Sequence, residues 1–407
     1  MKIAYLLKKF PRLSETFVLN EILGQEDLKT DIHIFSRRKP DDEPRHPQFE
    51  RLKAEVETLP YSKELNPWQE VFPGGAIRGD LIESIRSAMR ELDGVEIGRF
   101  PALLAEAIHL RRRCVELGID HVHVHFATDS AITAMLLRDL GGPTYSVTAH
   151  AKDIYRSTAD PKLLSRVFER SAFIVTVCDA NVRWLEKLVS PDALKQVRRL
   201  YNGIDLDVFV PATEPRAENE ILSVGRLVEK KGFDVLLNAL ALLRDRNVDF
   251  HAIIAGQGEK QGELEQLAKE LGLVECVEFT GPVDQGLVRR AMSKATLFCL
   301  PCVTGEDGNR DALPTVLLEA LAVGLPCIST PVTGIPEILA DGRAGIIVPE
   351  RDVEATAKAL QNLLGDRAAR EQFAACGIAQ ARSLFDARTN ADVLHGWFSE
   401  TRQGVPI

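Results

Sequence analysis

The run GEDGNRDALPTVLLEALAVGLPCIST, residues 305–330, crowds three acids, Glu306, Asp307 and Asp311, into a loop. A fourth acid, Glu319, sits eight positions past Asp311 in an apolar, helix-like stretch. Pro314 suits the first turn of a helix, and Gly324 with Pro326 ends it. The helix start then points free amides at Asp311, Ala312, Leu313 and Thr315, where phosphate or hydroxyl groups are attracted. Asp311 at the mouth can accept hydrogen bonds from a polyol. Glu319, two turns in, is too deep to cap anything. A carboxylate there needs a partner, and a ribose diol would serve. The plainer alternative is a solvent-facing helix glutamate.

A second loop carries cations. ILSVGRLVEKKGFDVLL places Gly225 and Arg226 just after a strand, and Lys231 and Gly232 just before a helix. Two cations and a helix start suit an anion, a diphosphate better than a carboxylate; a solvated basic turn is the bland alternative. The loop is not a P-loop, because G-x-x-x-x-G-K-[ST] is absent. IIAGQGEKQ has Gln261 where a third glycine would complete G-x-G-x-x-G, which weakens a dinucleotide reading. HVHVHF puts His121, His123 and His125 on one strand face, a spacing that can bind zinc. With three candidate ligands and no identifiable acid beside them, no metal is expected, and His125 is placed at the strand's carboxyl end near a cleft. Cys299 and Cys302 form an unpaired C-x-x-C at the end of an apolar run, which reads as strand end rather than redox site.

These loops must be held by a scaffold. KIAYLL, DIHIFS, HVHVHF, TYSVTAH and FIVTVC alternate with helical periodicity in the first half, and Ser14 is a credible helix N-cap. Residues 39–75, rich in charge and proline, read as an irregular insertion, and 80–117 as helical. The second half repeats the alternation from ILSVGRL to GIIVP. YNGIDLDVFVP, residues 201–211, falls between the two series with an Asn202-Gly203 turn signal. The expectation is α/β: two Rossmann-like, doubly wound domains facing each other across a cleft. The first spans 1–200 and the second 201–386, with a last helix from about 387 to 407 packed back on the first.

Composition agrees. The 407 residues, 45% hydrophobic and 27% charged, supply two ordinary cores. The formal charge of −9 argues against nucleic acid as a partner. The seven scattered cysteines fit a reducing cytoplasm. No apolar run reaches the roughly 20 residues that span a bilayer, and MKIAYLLKKF is too short for a signal peptide. Lys8, Lys9, Arg12, Arg37, Arg38, Lys39 and Arg111–Arg113 concentrate basic charge in the first half.

YNGIDLDVF, SVGRLVEKKG and DALPTVLLEALAVGLP, in this order, resemble retaining glycosyltransferases of family 4, which have the GT-B fold. The resemblance covers essentially the whole chain. The opening KIAYLLKKFPRLSETFVLNEI and the form NRDALPTVLLEALA look most like bacterial exopolysaccharide transferases of the colanic acid and amylovoran type. The resemblance implies that the second domain binds a nucleotide-diphospho-sugar and the first a saccharide or lipid-linked acceptor. It implies Gly225, Arg226 and Lys231 at the donor diphosphate and Glu319 at the ribose. Ala312, Leu313, Pro314 and Thr315 would line the donor, and Val283, in the turn GPVD, would lie where the base rests. Asp311 stands where the family usually has Glu, at the transferred sugar. His150, in SVTAHAKD, would also meet that sugar, with Ser14 and His125 toward the acceptor. No cofactor or metal is implied. The implied location is cytoplasmic, with the basic charge allowing peripheral contact with the inner membrane face. A nucleotide-sugar 2-epimerase of the same fold, or a non-catalytic nucleotide- or polysaccharide-binding relative, are the alternatives.

Overall fold

The computed structural model describes residues 1–12, 15–40, 47–71, 79–92, 97–156 and 159–402. Apolar runs too continuous for a one-sided sheet form strands buried on both faces, as parallel sheets require. The first sheet contains β1 (Lys2–Leu7), β2 (Asp31–Ser36), β3 (Glu55–Thr58), β4 (His121–His125), β5 (Thr144–Ala149), β6 (Phe173–Thr176) and β7 (Val197–Arg199). Its seven strands run in the order β3-β2-β1-β4-β5-β6-β7. The second contains β8 (Glu220–Val224), β9 (His251–Ala255), β10 (Val277–Gly281), β11 (Leu297–Leu300), β12 (Cys327–Ser329) and β13 (Gly345–Ile347). Its order, β10-β9-β8-β11-β12-β13, repeats the doubly wound pattern, and every pairing in both sheets is parallel. In each sheet the winding reverses beside the first strand, at β1/β4 and β8/β11. The loops leaving the carboxyl ends there are where such sheets bind ligands.

Three local readings differ from the sequence expectation. The segment expected to be irregular supplies β3, an edge strand of sequence EVET that pairs with β2. Its alternating glutamates hide it, since charge is common on edge strands. The short β7, VRR, is a further strand that apolar pattern does not reveal. The stretch 80–117 divides into helices Gly79–Glu91 and Phe100–Leu117. Ser14, expected as an N-cap, lies outside the described residues; the helix Thr16–Asp27 has Glu15 at its cap position.

The chain's last helix, Ala387–Arg402, lies against Thr16–Asp27. The Gln25 amide donates to Ala391 O at 2.7 Å, and Leu394 and Phe398 join Ile3, Tyr5 and Phe173 in one core cluster. The connecting segment is tied at the same point: Ile204 N donates to Phe385 O (2.8 Å) and Ala387 N to Ile204 O (3.0 Å). Gly203 fits there because a Cβ would stand 2.4 Å from Ala387 Cα. Gly203→Ala is expected to lower unfolding free energy by about 1–3 kcal/mol through overpacking. Gly396→Ala, in an open helical position, is expected to raise it by about 0.5–1 kcal/mol. Urea titrations check both; a shift of the same sign in the two variants would contradict the packing described.

Candidate active site

The loop after β8 is built by close backbone approach. Gly225 N donates to Ala255 O (3.0 Å) and Leu227 N to Gln257 O (3.0 Å). Gly256, at φ 140°, admits this contact, because a Cβ would lie 1.9 Å from Gly225 O. The incomplete glycine motif therefore packs one loop on another. Gly225 leaves room for the Lys231 side chain, whose Cε lies 3.4 Å from where a Cβ would be. Gly232, at φ 67°, turns the chain into the helix Phe233–Asp245 against Pro301 O. Arg226 is exposed and makes no ion pair among the described residues. Val283 is half-buried in the turn that follows β10.

The loop after β11 meets this one. Asp311 Oδ1 lies 2.7 Å from Lys230 Nζ and its Oδ2 lies 2.6 Å from Lys231 Nζ, with all three side chains largely buried. Burial alone would raise the Asp311 carboxyl, but the two ammonium groups overcome it and hold the pKa well below the ordinary carboxylate range. Burial likewise works against the Lys231 charge, and Asp311 outweighs it, leaving that pKa raised. Lys230 was not singled out in the sequence; in Lys-Lys, neither neighbour announces that both side chains reach the same acid. Cys302 Sγ contacts Asp311 Oδ2 at 3.9 Å, and burial pushes its thiol up to about 12, so the C-x-x-C holds no ready thiolate.

Ala312, Leu313 and Pro314 are buried ahead of the helix Thr315–Ala322, and Gly334 N fixes the turn by donating to Ala312 O at 3.0 Å. Glu319 is only 8% exposed. Its carboxyl has no ion pair or hydrogen bond among the described residues, and burial pushes its pKa from 4.5 to about 7. It is not a solvated helix glutamate.

In the first domain, His150 follows β5 at the start of the short helix Ala151–Ile154 and is 8% exposed. Its backbone N donates to Asp153 Oδ2 (2.9 Å), as does Ala127 N (2.8 Å), so one buried carboxyl joins the loops after β4 and β5. His125 is 2% exposed and faces inward. Its Nδ1 lies 3.3 Å from His150 Nε2 and its Nε2 3.1 Å from Glu21 Oε1. The acid not identifiable beside the histidines is thus Glu21, from the helix Thr16–Asp27. Glu21, His123 and His125 bring ligand-type atoms within 4.8 Å of one another. His121 and His123 instead hydrogen-bond along the sheet face to Thr144, Ser146 and Thr148 at 2.7–3.0 Å.

The two carboxyl edges face each other. Glu337, which starts no motif in the sequence, accepts from Asp179 N (2.8 Å) and Ala180 N (2.9 Å) across the gap, and from Tyr201 Oη (3.1 Å) of the connecting segment. Arg310 stacks over the Tyr155 and Trp184 rings at 4.5 and 5.7 Å, and Arg156 approaches Asp307 at 3.5 Å.

Residues 14–208 match the model of Glycosyltransferase Family 4, and residues 208–379 that of Glycosyl transferases group 1. WcaL of Escherichia coli K12, named for colanic acid biosynthesis, is 30% identical over 377 residues, covering 88% of this chain and 90% of that protein. This chain belongs to the family 4 glycosyltransferases. A phosphatidyl-myo-inositol mannosyltransferase of Mycobacterium leprae is 30% identical over 286 residues, 68% of this chain and 73% of that one. The glycosyltransferase fold is GT-B: the solved structure of Anabaena HepE in complex with UDP and glucose superposes with a TM-score of 0.73 at 16% identity, covering 98% and 99% of the two chains.

Glu319 gives this glycosyltransferase a characteristic pH response without ligand. A carboxyl whose folded pKa (about 7) exceeds its ordinary 4.5 makes the folded state bind the extra proton. Its effect on stability is therefore most favourable below about pH 4.5 and is lost as pH rises through about 7. Between pH 5 and pH 8 the loss is on the order of 2–3 kcal/mol. Asp311 has the opposite sign, its contribution falling away only in strong acid. Urea titrations at pH 5 and pH 8 should show a smaller decline in Glu319→Gln than in the parent. An equal decline in both would place the proton elsewhere, with buried Asp153, also pushed up to about 7 by burial, the next candidate.

Proposed function

We propose that the enzyme transfers a sugar, with retention, from a nucleotide-diphospho-sugar to a saccharide or lipid-linked acceptor in exopolysaccharide assembly. The carrying observation is a mismatch of charge. Lys230 and Lys231 share one carboxylate, Asp311, with Arg226 near them, so the pocket holds excess positive charge. Glu319, two turns into the adjoining helix, has no cation beside it among the described residues. A diphosphate answers the first and a ribose diol the second. The base would rest near Val283, and Ala312, Leu313, Pro314 and Thr315 would border the donor.

Bond cleavage places charge on the departing diphosphate. Arg226, Lys231, Lys230 and the amides at Thr315 stabilise it, so we assign no metal and no cofactor to the step. Asp311, ion-paired through both oxygens, is held in place rather than free as a nucleophile, and reads the transferred sugar from the pocket mouth. The colanic acid name of the similar WcaL supports the exopolysaccharide setting, and the lipid head group in the mannosyltransferase's name supports a lipid-linked acceptor.

The two acids are separable by calorimetry. Glu319→Ala is expected to weaken both bare nucleoside diphosphate and nucleotide-sugar by about 1.5–3 kcal/mol, the range for a hydrogen bond to a charged group. Asp311→Asn is expected to bind bare nucleotide no more weakly than the parent, because it removes an anion, yet to lose sugar transfer. UDP, GDP and ADP, screened first by thermal stabilisation, identify the base. Unchanged nucleotide affinity in Glu319→Ala would reject the ribose assignment.

Attachment to a membrane, in this reading, is peripheral. No described helix is long and apolar enough to cross one. Much of the basic charge noted in the sequence is spent internally. Arg37 pairs with Glu106 at 2.7 Å, Arg113 with Glu57 at 2.9 Å, and Arg12 with Glu15 at 2.7 Å. Exposed Lys8 and Lys39 remain at the surface, each worth about 1 kcal/mol near anionic lipid. At low salt the protein should sediment weakly with anionic vesicles and not with neutral ones; equal recovery in both supernatants would discard membrane contact.

A further inference from the structure

We propose that Glu21 is a positioning residue for transfer: acting through His125, it fixes the tautomer and ring orientation of His150 at the cleft. The proposal builds on the sugar-transfer reading. Glu21 Oε1 accepts from the Tyr5 hydroxyl at 3.0 Å and lies 3.1 Å from His125 Nε2. A carboxylate oxygen can only accept, so His125 carries its proton on Nε2. A neutral imidazole then has its lone pair on Nδ1, the atom 3.3 Å from His150 Nε2. His150 must therefore donate from Nε2 and keep its own lone pair on Nδ1. A hydroxyl of the transferred sugar would donate to that nitrogen.

The surroundings support this direction. Burial pushes the His150 pKa well below its ordinary value, so a single proton on the ring is expected. The ring is clasped by Phe17 and Phe126, with centroids 4.9 and 4.5 Å away. Tyr5 is a firm donor to Glu21, since burial and then Glu21 itself raise its pKa well above the ordinary value. His123 has nearer partners than Glu21: Ser146 Oγ at 2.7 Å and Thr148 Oγ1 at 3.0 Å, against 3.4 Å to Glu21. Glu21 also lines a small cavity shared with Asn202, Gly203 and Asn390. The carboxylate thus sits where the connecting segment, the last helix and the histidines converge. Glu21 lies four residues after Phe17, so one helix face supplies both the clasp and the anchor.

The first test is imidazole ¹⁵N spectroscopy of histidine-labelled protein, with His150 assigned by its loss in His150→Gln. The parent should show His150 as the Nε2–H tautomer. Glu21→Gln, close in size but able to donate or accept, should show mixed tautomers. The second test is turnover of UDP-glucose and GDP-mannose. Glu21→Gln should lower kcat by about 10–100-fold, as loss of a supporting hydrogen bond does, with the donor KM changed less than about threefold because nucleotide contacts persist. Adding His125→Leu should cost little more, since both variants break one relay. An Nδ1–H His150 in the parent would overturn the proposal. So would an unchanged tautomer with unchanged kcat in Glu21→Gln, or stoichiometric zinc retained by the purified protein, which would claim the same lone pairs. If the parent turns over neither donor, the transfer reading fails while the spectrum still decides the relay.

Discussion

Two ammonium groups share the Asp311 carboxylate, and the second domain's loops are arranged around that contact. Ions taken out of water are costly unless their partners are close and well placed. Lys230 and Lys231 meet the condition at 2.7 and 2.6 Å. Their backbone follows suit: Val303 N donates to Lys230 O, and Gly232 turns tightly on Pro301 O, so the loops after β8 and β11 close on each other. One negative charge facing two positive ones leaves the pocket short of an anion. Fixed charges that need no rearrangement when an anion arrives, or when more charge develops on it, are the most effective form of electrostatic stabilisation.

The four acids of residues 305–330 are separated in purpose by their surroundings. Exposed Glu306 donates its backbone N to Glu229 and shapes the loop. Asp307 reaches Arg156 of the opposite domain. Asp311 is held ionised by lysines, whereas Glu319, with the same chemistry but no cation, is pushed up to about 7 by burial. That difference matters for recognition. An acid held by two cations contributes a fixed field and keeps lone pairs for a sugar hydroxyl, while one without partners among the described residues has hydrogen-bonding capacity to offer a diol.

The domain contact includes directional polar pieces. Glu337 accepts from two amides at the start of the helix Asp179–Leu185, and Arg310 lies on Tyr155 and Trp184. Charge-assisted hydrogen bonds and stacking of this kind are directional, and they stand beside a buried apolar cluster that runs through both domains. Gly334 and Gly308 allow the approach, since a Cβ on either would crowd Cys178 or Tyr155.

Much of this was legible in the sequence, for identifiable reasons. Buried parallel strands must be apolar runs, so β1, β2, β8 and β11 stand out. Loops that approach backbone closely must be glycine, so Gly225 and Gly232 mark the cation loop. What escaped was set by tertiary contact alone. β3 and β7 are an edge glutamate strand and a three-residue VRR, with no apolar alternation to reveal them. Glu337 and Lys230 gain meaning only when a distant loop arrives. Glu21 is instructive because its signal was present. The helix Thr16–Asp27 follows β1, at the switch-point edge of the sheet, and Phe17 and Glu21 are spaced one turn apart on it. An aromatic and an acid on one face of that helix must look toward the carboxyl ends of the neighbouring strands. The neighbour there is β4, whose last residue is His125. Helix spacing combined with strand order, rather than either alone, leads from a histidine-rich strand to the carboxylate beside it.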